Sequence, residues 1–208
     1  VAPITQFISS FAFLVGLGGA PLFSIALGEK NEERAKKILS NALRMLIILS
    51  AILMVIFYCV RKPMLYCFGA SGQSYPFAKQ YLMIYLIGTF FSILSFGLNQ
   101  FLTAQGESLK ARRTTLSACL LNVCLDPLFR YVFHRGISGA ALAPICCQFL
   151  SFLLAILFLR EGSRIKLSFG HYDLKIRGSI LKLGFSPFII RSTDSIILIL
   201  LNSRLQKF

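Results

Sequence analysis

Asp126 is a carboxylate set among Leu120, Leu121, Val123, Leu125, Leu128 and Phe129, inside an apolar run over residues 114–133. A charged side chain near the centre of a membrane-spanning helix costs roughly 2.5–3.5 kcal/mol on insertion scales. A partner, a bound ion or a proton usually offsets that cost. Asn122 lies four positions earlier, one helical turn away on the same face. Pro127 follows directly, and its missing N–H leaves the carbonyl of Val123 without its intrahelical donor. Carboxylate, amide oxygen and freed carbonyl together make a candidate cation or proton site.

Such a site needs helices at membrane depth, and the composition supplies them. The 208 residues are 56% hydrophobic and 14% charged, where soluble domains carry about 25% charged residues. Residues 1–28 hold no charge, and 45–60, 80–106, 136–159 and 192–203 hold only Asp194. With the Asp126 run, these make six hydrophobic segments, most near the ~20 residues that cross a bilayer. The expected fold is all-α, a polytopic membrane bundle.

The net charge of +14 could indicate nucleic acid, but its placement points elsewhere. Lys30, Arg34, Lys36, Lys37 and Arg44 sit by the first connection, and Lys110, Arg112 and Arg113 by the third. Arg160, Arg164, Lys166, Lys175, Arg177 and Lys182 sit by the fifth. Alternate connections share one side, so this is a positive-inside pattern that puts all three in the cytoplasm. The partners expected are a lipid bilayer and a small organic molecule, with no nucleic acid. The six cysteines form no C-x-x-C pair and there are two histidines. They read as small buried hydrophobes, with no metal and no resident cofactor.

Along the chain, Gly16, Gly18, Gly19 and Ala20 form a small-residue patch for close helix packing. Gly106 reads as a helix stop. Asp173 can cap an amphipathic helix in which Leu174, Ile176, Ile180 and Leu181 alternate with Lys175, Arg177 and Lys182. Gly184-Phe185-Ser186-Pro187 then reads as a helix restart, with Ser186 as N-cap and Pro187 in the first turn. Three parts are expected: a lobe over 1–160, a cytoplasmic linker over 161–183, and the first helix of a second lobe over 184–208. The chain opens inside an apolar run and stops as a helix leaves the membrane, so both ends read as cut.

Several pieces carry a family resemblance: Ala26-Leu27-Gly28-Glu29-Lys30-Asn31, Thr103-Ala104-Gln105-Gly106-Glu107, Asn122-Val123-Cys124-Leu125-Asp126-Pro127, and Gly136-Ile137-Ser138-Gly139-Ala140-Ala141-Leu142-Ala143, followed by the helix from Gly184 with Asn202. In their order and spacing the chain resembles the multidrug and toxic compound extrusion (MATE) transporters, from the family's second helix to its seventh. The resemblance implies twelve helices in two lobes when complete, a monomer in the plasma (inner) membrane, and export of organic, often cationic, compounds in exchange for sodium ions or protons. It assigns Asn122 and Asp126 to the cation site. Where many relatives have Gly-Ala-Ala-x-Ala-Thr, with the Thr hydroxyl near the cation, this chain has Pro144. The hydroxyl is lost, while Pro144 frees the carbonyl of Ala140. The change bears on sodium coordination more than on protonation of Asp126.

Other polar groups take structural roles in this reading. Asn99, Gln100, Gln105 and Gln148 are packing glue between helices. Asp194 could touch substrate, but an ion pair with Arg191 is the expected arrangement. Two alternatives stand beside export. One is a lipid-linked oligosaccharide flippase of the same superfamily, whose cavity would hold several Arg where only Arg191 comes close here. The other is a truncated product that transports nothing. An enzyme is not expected, since the chain has no His-Glu-x-x-His and no Ser/His/Asp set.

Overall fold

Helix α1 (Ala2–Gly28) must turn back sharply, and it does so through Lys30, which adopts φ +55°. The Lys30 amide returns to the Leu27 carbonyl at 3.1 Å and the Asn31 amide to Ala26 at 3.0 Å, a pairing that satisfies the last carbonyls of the helix. Asn31 at once caps α2 (Glu32–Cys59), its side chain accepting the Arg34 amide at 3.0 Å. The same device closes α3 (Tyr75–Ala104): Gly106, at φ +83°, bonds Thr103 at 3.0 Å, and the Glu107 amide bonds Leu102 at 3.1 Å. Glu107 opens α4 (Ser108–Pro127). Helices α5 (Gly136–Glu161) and α6 (Leu174–Leu205) complete the fold. The computed structural model describes residues 2–61, 65, 75–129, 136–161, 164–165 and 173–205, and its regular structure there is helical throughout.

The three basic connections gather at one end of the bundle, as their alternation requires. Ser24 Oγ donates to the Ala104 carbonyl at 3.3 Å. Gln105 Oε1 accepts the Ile165 amide at 3.1 Å, joining the third connection to the fifth. Buried Asn41 of α2 accepts the Asp173 amide at 3.3 Å and Arg177 Nε at 3.1 Å. Asp173 caps α6 as its position predicts, Oδ1 accepting the Lys175 amide at 2.9 Å and the Ile176 amide at 3.4 Å.

Small residues set the packing. A Cβ on Gly16 would meet Gln100 Cγ at 3.0 Å and Gly97 Cα at 3.2 Å, so this face of α1 lies close against α3. Gly18 faces the other way, toward the Ile180 carbonyl and Gly184 of α6. Phe23 and Phe101, both fully buried, meet edge to face at 5.6 Å. Helix α1 therefore sits between α3 and α6, while α3 also packs on α2, α4 and α5. Among the described residues, helix α4 packs only on α3 and α5.

One expectation changes. Helix α6 runs unbroken through Gly184, Ser186 and Pro187, so there is no restart and Ser186 caps nothing. Gly184 serves close packing against α1 instead of ending a helix, which explains why a local turn signal misled. The six-helix bundle expected is present, and on their described residues four of its helices are long and apolar enough to cross a membrane: Gln6–Gly28, Glu32–Cys59, Lys79–Ala104 and Ala141–Arg160. Helix α4 opens on Lys110, Arg112 and Arg113, residues 130–133 of its run lie outside the described residues, and α6 spreads Lys175, Arg177, Lys182, Arg191 and Asp194 along its length. On α2, Ile48, Ile52 and Ile56 point outward one turn apart, an apolar stripe suited to lipid.

Candidate functional site

Helices α3, α4 and α5 line an open cavity of about 760 Å³, within the range of small-molecule sites. Its largely apolar walls carry polar stripes set by helical spacing. Ser95, Asn99 and Thr103 recur every fourth residue on α3. On α4 the stripe runs Ser108, Arg112, Thr115, Cys119 and Asn122, alternating four and three residues. Helix α5 adds Pro144, Cys147, Gln148 and Ser151.

A chain of hydrogen bonds holds the three helices in register. Buried Thr114 of α4 donates to Asn99 Oδ1 at 2.6 Å and shares its proton with the Ala111 carbonyl at 2.7 Å. Asn99 Nδ2 donates to the Ser95 carbonyl at 2.9 Å. The Ser95 and Ser151 hydroxyls meet at 2.6 Å, crossing from α3 to α5. Asn99 thus has the packing role expected of it, and Gln105 likewise ties two connections. Gln100 and Gln148 instead reach the cavity wall.

Asn122 lies at the far end of this wall from the basic connection, within hydrogen-bonding reach of the Cys147 thiol. Asp126 is half-buried one turn further along α4, about 6 Å along the axis at 1.5 Å per residue. Helix α4 is continuous to Pro127, so the two side chains share a face. Pro127 is exposed, and the helix loosens into a π turn at Leu128 and Phe129, a local form common at functional sites. Gly139 makes room for that turn, since a Cβ there would lie 2.8 Å from the Phe129 carbonyl. A carboxylate beside an amide, next to a π turn, is chemically suited to holding a proton or small cation.

Pro144 stands on the cavity wall and Asp194 does not. Asp194 is exposed on α6, which among the described residues has no contact with α4. Among the described residues its expected pair with Arg191 is not formed. The Arg191 guanidinium instead stands over the Phe13 ring, 5.0 Å from its centroid, a cation–π contact that keeps the charge without an acid. The cysteines also differ from expectation. Cys59, Cys119 and Cys124 are exposed, Cys147 is buried, and Cys67 lies outside the described residues. Taking polar residues singly missed Ser95, Thr114, Ser151 and Arg112; helical spacing on α3 and α4 was the signal that could have found Ser95 and Arg112.

Comparison with known proteins places the fold. The MatE family matches residues 1–128. Multidrug export protein MepA of Staphylococcus saprophyticus is 27% identical over 191 residues, covering 90% of this chain and 42% of that protein. The chain therefore spans less than half the length of the curated relatives it matches. Among solved structures, an inward-facing multidrug resistance MATE family transporter of the MOP superfamily superposes with a TM-score of 0.91 at 22% identity, covering 97% of this chain and 47% of that one. An outward-facing conformation gives a TM-score of 0.89 at 23% identity, covering 97% and 46%.

Proposed function

The chain belongs to the MatE family and is a multi-pass membrane protein, and from that premise we propose that it forms the ion-coupling half of a secondary active antiporter exporting organic compounds in exchange for protons or sodium ions. The observation that carries this reading is the placement of Asn122 and Asp126 on one face of α4, with Asn122 on the wall of a cavity large enough for a drug-sized molecule. No resident cofactor is invoked; the exchanged ion is cargo.

Binding a proton or cation at Asp126 favours whichever arrangement of α4 and α5 best satisfies the occupied site, and its release favours the other. The π turn after Pro127, lodged against Gly139, is where the two arrangements differ most easily. Pro144 contributes no hydroxyl to the site, which favours protons over sodium ions. The bundle resembles half of a transporter in both its inward-facing and outward-facing forms. In this arrangement residues 1–160 form one lobe, 161–183 connect, and 184–208 begin the other, with α6 crossing the last border as one helix. The complete protein acts as a monomer in the plasma membrane.

The test uses inverted membrane vesicles containing the gene product and a fluorescent substrate. A pH gradient and a sodium gradient are imposed separately. Uptake driven by the pH gradient alone is expected; transport that follows neither gradient would reject antiport.

A further inference from the structure

Lys37 and Arg44 lie one turn to either side of buried Asn41 on α2, four residues before it and three after. With 3.6 residues per turn, these three share an arc of about 80° with Ile48, Ile52 and Val55. Those three apolar residues are exposed. One face of α2 therefore changes from basic to apolar on moving inward from the basic end of the bundle.

A third cation comes to this face from α6. Arg177 Nε donates to Asn41 Oδ1 at 3.1 Å, and the same oxygen accepts the Asp173 amide at 3.3 Å. The bond holds a guanidinium beside the turn of α2 that lies between Lys37 and Arg44. Cations from two helices thus gather within about 10 Å along the α2 axis, at 1.5 Å per residue. The acids nearby are placed elsewhere. Glu29 and Glu32 are held by Arg34 at 2.9 Å and Lys36 at 4.0 Å, Asp173 caps α6, and exposed Glu33 lies one turn nearer the helix start than Lys37.

The two parts of this face suit two parts of one molecule. Ammonium and guanidinium groups bind phosphate, the guanidinium fork with two oxygens at once. The apolar stripe begins one turn beyond Arg44 and suits hydrocarbon. An anionic phospholipid joins a phosphate to acyl chains in that order, whereas a free phosphate would use only the basic part.

We propose that Lys37, Arg44 and Arg177 bind the phosphate of an anionic phospholipid whose acyl chains run along Ile48, Ile52 and Val55. A lipid seated there bridges α2 and the start of α6, reinforcing the junction made by Asn41. The proposal is independent of what the protein exports. Basic residues at this end could also serve orientation alone, through the positive-inside pattern. Lys36 separates the two roles: it carries the same charge in the same connection, and it points about 100° away from Lys37.

The experiment measures binding of fluorescently labelled phosphatidylglycerol to the intact purified gene product in a neutral detergent. Unlabelled phosphatidylglycerol, phosphatidylcholine and inorganic phosphate serve as competitors. Phosphatidylglycerol is expected to compete at least about 5-fold better than phosphatidylcholine, and millimolar inorganic phosphate to leave the labelled lipid bound. Lys37→Gln and Arg44→Gln should each weaken binding about 5-fold, the contribution of one basic residue near an anionic headgroup. Arg44→Lys should retain most of the affinity, and Lys36→Gln should leave it unchanged. Lys37 is exposed, so its replacement leaves the fold in place. Equal competition by phosphatidylcholine, or a loss in Lys36→Gln as large as that in Lys37→Gln, would overturn the proposal. Displacement of the labelled lipid by inorganic phosphate would also overturn it, by marking a site for free anions.

Discussion

Gly184 of α6 lies directly against the backbone carbonyl of Leu14 in α1, with no room for a Cβ between them. Gly18 makes the reciprocal approach to Ile180 and Gly184, and the buried hydroxyls of Ser10 and Ser192 meet at 3.2 Å along the same seam. Helices in lipid gain little from hydrophobic burial, so this seam depends on backbone proximity.

Gly184→Ala should therefore force α6 off α1 and cost about 1–3 kcal/mol, the range for overpacking a tight interior. Gly178→Ala, on the same helix with open space at its Cβ position, should be neutral or slightly stabilising. Thermal unfolding of the purified protein in detergent checks both. A Gly184→Ala protein as stable as wild type would mean that the seam is looser than described.

The two Schellman turns make opposite predictions. Gly106→Ala places a Cβ at φ +83° and should cost about 1–2 kcal/mol. Lys30→Gly relieves a strained residue at φ +55° and should gain about 1 kcal/mol. Both effects are read from unfolding midpoints.

How much was legible differs between these positions for a physical reason. Gly106 and Asp173 were readable because a left-handed cap and an N-cap are local devices, satisfied within a few residues. Lys30 was not, since nothing in a lysine signals positive φ; the geometry is imposed by Asn31 having to start α2 at once. The Gly184–Pro187 signal was misread because tertiary contact with Leu14 uses the glycine, while membrane helices tolerate proline. Asn122 and Asp126 were legible as a pair one turn apart. The cavity beside Asn122 was not, because it is formed by stripes from three helices distant in sequence.

Thr114→Val keeps the shape of the side chain and removes its proton, leaving Asn99 Oδ1 without that donor. Hydrogen bonds between membrane helices are worth about 0.6 kcal/mol on average and up to about 1.7. With the Thr114 hydroxyl buried and the two oxygens 2.6 Å apart, the upper part of that range is expected. A double-mutant cycle with Asn99→Leu should show coupling of that size, and zero coupling would remove the bond from the bundle's support.

Asn41→Leu should loosen the start of α6, because it removes the acceptor for the Asp173 amide and for Arg177 Nε. Bonds to charged groups contribute about 1.5–3 kcal/mol. Faster tryptic cleavage after Lys175 and Arg177 is the expected readout, with the rest of the bundle still folded.

The most direct measurement is drug efflux by Asp126→Asn, with the amount of protein in the membrane quantified beside wild type. The substitution keeps size and hydrogen bonding but can hold neither a proton nor a charge. Ion coupling at Asp126 predicts a normally inserted protein whose gradient-driven efflux falls to the background of cells lacking it. Efflux at the wild-type rate from the same amount of protein would contradict it.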